Sequence, residues 1–388
     1  MGLRGARDGG ARRHRHRHEG YAVLALRLAV LAASIALVLY GGVAARMRDA
    51  AHRLTKRTWL RDGLFTVGFL AILLVLSLPV EIHAGFVRYR HAGLSHASFP
   101  QWLGDYLTQW AVNLAFYVVG IVAIMAIIRR RPNAWPAWAT LIYVALSATY
   151  TVLSPLYIEP LFNRFTPLPD GGAKEAILAL ARANGVPAGE VYVRDASRQS
   201  VVLNASVSGL GGSARITLDD NTIQRTPPAE VEMVMAHEIG HYVLRHVFKE
   251  TLLHGVVMGI GFLCIAWAMR GLVARRGPRW GVAGTGDIAA LPVFWFLFAL
   301  WGFIALADNG IQREDEAEAD LFGLNASRQP LGLAEFMIRD ADVHPLAPGA
   351  FVEWALYTHP APAKRIRVAM RWRAEQVRAA GATSSRAP

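Results

Sequence analysis

Six long stretches of this chain contain no charged residue, and they limit what it can fold into more than any other feature. The stretches are residues 28–45, 63–80, 106–128, 132–158, 251–269 and 288–307. A helix of about 18 residues can cross the roughly 30 Å hydrocarbon core of a bilayer, since each residue adds about 1.5 Å to its length. We therefore predict six transmembrane helices.

Two alternatives stay open for individual stretches. One or two of them could be long helices inside a core, and the first could be a signal peptide cleaved near the small residues Gly42 and Ala44. Arg46 and Arg48 follow that stretch directly, and basic residues at this position favour a retained membrane helix.

Composition supports a membrane location and restricts the type of metal site. Of the 388 residues, 53% are hydrophobic and 18% are charged, against about 25% charged in soluble domains. The surplus of 41 basic over 29 acidic residues could attract nucleic acid or an anionic membrane; the apolar stretches favour the membrane, so we expect no nucleic-acid partner. With Cys264 as its one cysteine, the chain must bind any metal through His, Asp and Glu.

Polar and apolar regions alternate along the chain and predict its organisation. We expect a disordered Arg/His-rich tail over 1–20, four transmembrane helices with their loops over 21–158, the first part of a polar domain over 159–250, two transmembrane helices over 251–307, and the second part of the polar domain, ending in a mobile tail, over 308–388. The basic tail could bind a metal, but contact with anionic lipid is the favoured interpretation.

The first polar piece shows a readable local pattern. Helical periodicity predicts a helix over Ala173–Asn184, a short strand follows at Val191–Val193, and a hairpin is predicted over 200–218 around a Gly-rich turn. Thr226 is then the predicted N-cap and Pro227 the first residue of another helix. The hairpin could be only a packing element, or its outer strand could bind an extended peptide through backbone hydrogen bonds.

This last helix carries the sequence His237-Glu238-Ile239-Gly240-His241. Residues four apart lie on one face of a helix, one turn apart, so both imidazoles can bind one zinc ion. A carboxylate at Glu238 can take a proton from a water that the metal acidifies. The same pattern also occurs by chance, so the motif alone leaves a solvated helix surface as an alternative.

A site of this type needs a third protein ligand and keeps a fourth position for water. The acidic run from Arg313 to Asp320 could supply that ligand from a helix that returns from the membrane. The alternative is that these carboxylates only solvate an exposed helix.

Several motifs together resemble the type I CAAX prenyl protease family of integral-membrane zinc endopeptidases. They are residues 158–169, Asn204-Ala205, His237 to His241, Glu316 to Asp320 preceded by Arg313, and His359-Pro360 with Arg365. The motifs occur in the family's order over residues 150 to 370, which is more than half of the chain.

The resemblance implies a zinc site with one ion per chain. Its ligands would be His237, His241 and Glu316, with Glu238 as the general base. Asp320 matches a position that orients a zinc-bound histidine through its second ring nitrogen.

The resemblance also implies residues that contact the substrate. His359 and Arg365 match residues near the substrate and the developing oxyanion, while Asn204 and Ala205 match the edge strand on which a peptide is laid. Residues 201–203 are Val-Val-Leu where the family often has Ser-His-Ser, so the substrate preference does not transfer directly. The count of six membrane helices, four of them before the metal helix, also differs from the seven that are typical of the eukaryotic members.

His246 follows His241 by five positions. At this spacing we expect it to face away from the metal pair, and since a three-ligand site is already complete we interpret it as a structural or interfacial histidine and not as a ligand.

The sequence thus predicts a polytopic α-helical membrane protein with a small α+β zinc metalloprotease domain of the gluzincin type. We expect a membrane-embedded zinc metalloendopeptidase that hydrolyses peptide bonds with zinc-activated water. Its partners would be the lipid bilayer and a peptide or protein substrate, which could be membrane-associated or lipidated. The alternatives are a quality-control protease of broad specificity and a non-catalytic scaffold with a structural zinc. Basic residues are balanced between the two sides, and the resemblance favours an active site that faces the cytoplasm.

Overall fold

The computed structural model describes residues 22–209, 214–304, 308–341 and 345–384. The chain divides into two compact units. Unit 1 comprises Met1–Ala92, Ser98–Tyr150 and Thr251–Ala305, and unit 2 comprises Gly93–Ala97, Thr151–Glu250 and Leu306–Pro388. The predicted Arg/His-rich tail over 1–20 lies outside the described residues, as do residues 385–388 of the predicted mobile end.

The described residues form helices and four short strands. The α-helices longer than four residues are α1 (Ala22–Tyr40), α2 (Val43–Leu54), α3 (Thr58–Glu81), α4 (Phe99–Arg130), α5 (Trp135–Leu153), α6 (Gly172–Ala183), α7 (Asp220–Arg225), α8 (Pro228–Val243), α9 (His246–Trp280), α10 (Leu291–Ile304), α11 (Asp308–Ser327), α12 (Pro330–Asp340), α13 (Ala350–Leu356) and α14 (Pro362–Ser384). A π-helical turn over Ile82–Val87 and a short helix over Arg88–His91 continue α3, and a π-helical turn over Ser154–Ile158 continues α5. The strands are β1 (Phe165–Pro167), β2 (Val191–Arg194), β3 (Ala205–Ser208) and β4 (Arg215–Asp219).

Five helical segments of the described chain are long and apolar enough to cross a membrane. They are Ala22–Tyr40, Thr58–His91, Phe99–Arg130, Trp135–Leu161 and His246–Trp280. Each segment covers most or all of one of the first five uncharged stretches. Four of the five segments precede the metal helix. The predicted first five membrane helices are therefore confirmed in length and composition.

The sixth predicted membrane helix begins later than its uncharged stretch. Asp287 accepts a hydrogen bond from the backbone N–H of Ala289 (3.0 Å), which caps a 3₁₀ turn over Ile288–Ala290. The α-helix α10 begins only after this turn. Within the described residues the apolar helix covers Ile288–Gly302, and residues 305–307 of the stretch lie outside them. The capped turn takes up the first three residues of the stretch, which delays the start of the α-helix.

The core of unit 1 is built from apolar side chains of the membrane-capable helices. Phe65 and Phe69 of α3, Met125 of α4 and Phe262 of α9 are almost completely buried. Asp62, near the start of α3, is buried as well and is paired with Arg129 at the end of α4. A carboxylate in an apolar unit requires such a partner, because an unpaired buried charge is strongly unfavourable.

Unit 2 contains a four-stranded sheet in the order β1-β2-β4-β3. The predicted hairpin is confirmed as the antiparallel pair of β3 and β4, with Ala205 opposite Leu218. Strand β3 starts at Ala205 and not at Ser200, because α7 takes up the preceding backbone groups. The side chain of Asn221 donates to the carbonyl of Ser200 (2.7 Å), and Thr222 Oγ1 accepts from the N–H of Asn204 (2.9 Å).

Helix α8 begins one residue later than predicted. Pro227 is the N-cap in an extended conformation (φ −59°, ψ 153°), and Pro228 is the first helical residue. A residue that precedes a proline is pushed out of the α region, whereas proline itself suits the first helical position. The second proline, Pro228, therefore decides the start of the helix, and Thr226 ends α7.

One side of α8 packs on the sheet, and another packs on α11 and α12. Met235 and Ile239 share a buried core with Ile216 and Leu218 of β4. Met233 packs with residues of α11 and α12 in a second buried core. Helix α8 is therefore enclosed from several directions, which limits the movement of the motif that it carries.

Candidate metal centre

Helix α8 brings two imidazoles together, as their spacing predicts. The Nε2 atoms of His237 and His241 are 3.1 Å apart, and their rings meet edge to face. His237 is buried and His241 is half-buried. Two imidazole nitrogens at this distance can share a proton or bind one cation.

Helix α11 adds a carboxylate to the pair. Glu316 Oε2 lies 3.2 Å from Nε2 of His237, and Glu316 Oε1 lies 3.4 Å from Nε2 of His241. Oε2 is buried, and its approach to His237 has the distance of an ion pair without the geometry of a hydrogen bond, so this atom makes no hydrogen bond within the described residues. A buried oxygen without a hydrogen bond is unfavourable, so this atom indicates a site for a further group.

The three residues fit a metal ion in their spacing and chemistry. Tetrahedral zinc with bonds of about 2.0–2.2 Å separates its ligand atoms by about 3.3–3.5 Å. Here the two Nε2 atoms are 3.1 Å apart, and the Glu316 oxygens lie 3.2 Å (Oε2) from His237 and 3.4 Å (Oε1) from His241. Two imidazoles and one carboxylate leave a fourth position for water, which is the pattern of catalytic zinc sites.

The electrostatics of the cluster also favour a cation. Burial alone would lower the pKa of His237, but its contacts with Asp320 and Glu316 outweigh burial and raise the pKa to about 9. Burial would raise the pKa of Glu316, yet His237 lowers it to about 2. Burial and the neighbouring His237 lower the pKa of His241 to about 4. The carboxylates therefore hold one positive charge in the centre, and a metal ion could take its place.

Asp320 lies one turn after Glu316 on α11 and contacts the second nitrogen of His237. Its Oδ1 is 3.1 Å from Nδ1 of His237, which is the contact that the implied orienting role requires. Arg365 of α14 donates to the same carboxylate through Nε (2.8 Å) and through a terminal nitrogen (2.6 Å). Although burial acts in the opposite direction, Arg365 and His237 hold the pKa of Asp320 well below its usual range.

These contacts show where the structure places Arg365. It is buried, and its guanidinium forms a bidentate pair with Asp320 behind the ring of His237. The role at the oxyanion that the resemblance implies stays a prediction. The observed pairing supports a second role, in which Arg365 fixes Asp320 and through it His237.

Glu238 is half-buried next to His237 on α8. Burial and the charge of Glu316 raise its pKa to about 7, against the opposing effects of His237 and Arg365. A carboxylate with such a pKa can exchange protons near neutral pH, as a general base must.

His359 lies in the centre although it is distant in sequence. Its Nε2 is 3.2 Å from Oε1 of Glu316, and its side chain is 54% exposed. Thr358 Oγ1 lies 2.9 Å from the other ring nitrogen. The structure thus brings the predicted histidine to the exposed side of the ligand cluster, where a substrate could meet it.

Asn204 and Ala205 lie at the start of β3, the edge strand of the sheet. The side chain of Asn204 is exposed, while its backbone carbonyl accepts from Asp219 N–H (3.0 Å). Ala205 is paired with β4. Helix α8 packs against β3, so the strand predicted to receive a peptide lies beside the helix that carries the motif.

The interpretation that His246 faces away from the pair is wrong. Its Nδ1 lies 2.9 Å from Nδ1 of His241. Helix α8 ends at Val243, and Arg245 adopts a left-handed conformation (φ 58°) that redirects the chain before α9. The periodicity argument assumed one continuous helix, and neither Leu244 nor Arg245 is a glycine or proline that would have marked the break.

Comparisons with known sequences agree with this geometry. A model of peptidase family M48 matches residues 167–373, and a model of the CAAX prenyl protease N-terminal region, with five membrane helices, matches residues 18–164. An uncharacterized metalloprotease of Bacillus subtilis, YhfN, is 28% identical over 67% of this chain and 62% of its own length. CAAX prenyl protease 1 of Saccharomyces cerevisiae is 30% identical over 47% of this chain and 42% of its own. The chain thus spans less than two thirds of the length of these curated relatives.

A solved structure shows the same fold. The crystal structure of S. mikatae Ste24p superimposes with a TM-score of 0.75 at 20% identity, covering 86% of this chain and 82% of that chain. The predicted polytopic helical fold with a small α+β domain is confirmed, as is the family resemblance. Because the M48 model covers more than half of its residues, the chain belongs to peptidase family M48.

Proposed function

We propose that this protein is a membrane-embedded zinc metalloendopeptidase. The observation that carries the proposal is the cluster of His237, His241 and Glu316, whose donor atoms have the spacing of a three-ligand zinc site. Glu238 lies beside the cluster with a pKa that suits a general base. A structural zinc in a non-catalytic scaffold normally has four protein ligands, so the open position favours an enzyme.

The residues divide the chemistry between them. Zinc held by His237, His241 and Glu316 would supply a Lewis acid and lower the pKa of the attacking water. Glu238 accepts a proton from that water at its carboxylate and delivers it to the leaving amine nitrogen. His359, on the exposed side of the cluster, donates a hydrogen bond to the oxyanion that develops on the scissile carbonyl oxygen.

We infer that the substrate is a peptide or protein, bound in an extended form along β3. An edge strand binds a peptide by backbone hydrogen bonds, which gives affinity with modest sequence selectivity. The relatives named CAAX prenyl proteases support a substrate that is lipidated or associated with the membrane. An active site that faces the cytoplasm stays a prediction from the resemblance of the motifs.

The decisive experiment combines metal analysis with peptide cleavage. The purified wild type, Glu238→Gln and the control Glu314→Gln, which changes an exposed carboxylate, are compared on a farnesylated peptide and on its unmodified counterpart. We expect one zinc per chain in all three proteins and cleavage only by the wild type and the control. Near wild-type turnover by Glu238→Gln would contradict the mechanism, and equal cleavage of both peptides would favour broad specificity.

A further inference from the structure

His246 is the buried first residue of α9 and connects the metal centre to a carboxylate outside it. Its Nδ1 lies 2.9 Å from Nδ1 of His241, and its Nε2 lies 3.2 Å from Oε2 of Glu318 on α11. Only 2% of the His246 residue surface is exposed. Both ring nitrogens of His246 therefore have a defined neighbour.

These contacts determine where the protons must lie once His241 binds a metal. Nε2 of His241 faces Nε2 of His237 and the Glu316 carboxylate, so its Nδ1 must carry the proton. Nδ1 of His246 is then the acceptor of that N–H. The remaining proton of His246 lies on Nε2, which donates it to Glu318. The contacts of His246 with His241 and with Glu318 are thus each one hydrogen bond with one donor and one acceptor.

We propose that His246 is a positioning residue that fixes the ring and the tautomer of His241 for metal binding. The inference rests on the proposed zinc site. It gives the second histidine ligand a support equivalent to the one that Asp320 provides for the first. Such partners orient the ligand and raise its basicity, and their loss typically weakens metal binding about 10- to 100-fold.

The surroundings of His246 favour this role over a second metal site. Donor atoms of His246, Asp315 and Glu318 lie close enough to hold an ion. However, the ammonium of Lys249 already hydrogen-bonds to the buried Asp315 and lies 3.8 Å from Glu318 Oε2. A cation is thus already in place beside these carboxylates, and His246 turns its Nδ1 to His241.

Three substitutions at one position test the geometry. In His246→Asn the amide oxygen can occupy the place of Nδ1 and accept the hydrogen bond from His241. His246→Gln places its amide near the former Nε2, and His246→Leu fills the volume without an acceptor. The readouts are the zinc dissociation constant from chelator competition, the visible spectrum of the Co²⁺-loaded protein, and the unfolding temperature of the metal-free protein.

We expect the dissociation constant to rise about 10- to 100-fold in His246→Leu and His246→Gln and to return to within about threefold of wild type in His246→Asn. The Co²⁺ spectrum should change in the first two variants only. Glu318→Gln, compared with the exposed Glu314→Gln, should show a smaller loss of affinity, and it serves as the test if a His246 variant does not fold. Wild-type affinity in His246→Leu, or equal affinities in the Asn and Gln variants, would overturn the proposal.

The outcomes separate this inference from the proposed function. Metal affinity that depends on His246, in a protein that cleaves no peptide, would retain the positioning role and refute the protease. If cleavage depends on Glu238 but the metal affinity is unchanged in the His246 variants, the protease is retained and the positioning role is refuted. A wild type that binds no zinc would refute both.

Discussion

Asp320 connects the ligand cluster to the rest of unit 2 through its contacts with His237 and Arg365. Its carboxylate is buried between the imidazole of His237 and the guanidinium of Arg365. In this arrangement Arg365 neutralises Asp320, and Asp320 holds the ring whose other nitrogen belongs to the ligand cluster. The effect of Arg365 on catalysis should therefore pass through metal binding.

Arg365→Ala should weaken zinc binding about 10- to 100-fold, because Asp320 loses the partner that orients it. Breaking a buried ion pair by removing one side typically costs about 3–5 kcal/mol of folding stability. Zinc titration and thermal unfolding check both effects, with Arg367→Ala, an exposed position of α14, as the control. Unchanged zinc affinity with strongly reduced turnover would instead place Arg365 at the oxyanion.

Glu316→Ala should lose both the metal and the activity, since it removes one of three donors. Glu314→Ala changes an exposed carboxylate two residues earlier on α11 and should leave both intact. Zinc content after extensive dialysis provides the measurement. Normal zinc content in Glu316→Ala would move the third ligand to another residue.

The ionisation of Glu238 should determine how kcat/KM changes with pH on the acidic side. A general base must be ionised, so kcat/KM should fall as the pH drops through the pKa of Glu238. That pKa is about 7 in the metal-free protein, and a bound dication lowers it because it favours the charged carboxylate. Profiles of kcat/KM should therefore show an acidic limb with its midpoint below pH 7. Activity that increases on acidification through this range would exclude Glu238 as the base.

At the scale of the elements, the site depends on how closely α8 and α11 approach each other. A Cβ atom on Gly323 would lie 2.6 Å from the terminal carbon of Met233 and 3.1 Å from the backbone nitrogen of His237. The methionine end can move, but the backbone of α8 cannot. The absence of a side chain at Gly323 thus lets Glu316 and Asp320, on the same helix, reach the histidines.

Gly323→Ala should separate the two helices, lower the stability by about 1–3 kcal/mol as overpacking does, and weaken zinc binding. Gly310→Ala is the matched control on α11, because its new Cβ would meet its nearest neighbour at an ordinary 3.6 Å. Replacing a helical glycine by alanine there should be neutral or stabilise by about 0.5–1 kcal/mol. Thermal unfolding and zinc titration of the two variants test whether α8 and α11 must pack this closely. Equal stability and equal zinc affinity of the two variants would contradict the prediction.

At the scale of the whole molecule, the chain connectivity constrains the membrane topology. The segments Thr151–Glu250 and Leu306–Pro388 belong to one unit, and α9 between them is long enough to span a membrane. Both segments must lie on one side, so the chain has to cross again after α9. The sixth uncharged stretch, residues 288–307, is the part of the chain available for this second crossing, and α10 lies within it.

Single cysteines can test this topology in a Cys264→Ser background. Asp170→Cys and Ala380→Cys lie at exposed positions of the two segments and should react with a membrane-impermeant reagent from the same side. Arg276→Cys near the end of α9 should react from the opposite side. Labelling of intact cells and of inverted vesicles distinguishes the sides. Reaction of Asp170→Cys and Ala380→Cys from opposite sides would refute the second crossing.

The sequence alone determined those features that depend on local geometry. The spacing of His237 and His241 places them on one helical face, and the uncharged stretches set the first five membrane-capable segments, because helix periodicity and rise are the same in any context. The family motifs added Glu316, Asp320, Arg365 and His359 as candidates. Their residue types are compatible with many positions in space, however, so sequence could not show which atoms meet.

The tertiary structure decided the features that depend on contacts between distant segments. The pairing of Arg365 with Asp320 arises because α14 packs near α11, and the contact of His246 with His241 arises because the chain turns at Arg245. The late start of β3 depends on side chains of α7 that capture the preceding backbone. In the first and third cases, groups distant in sequence meet because separate segments pack together. In the second case they meet because the helix breaks and the chain changes direction.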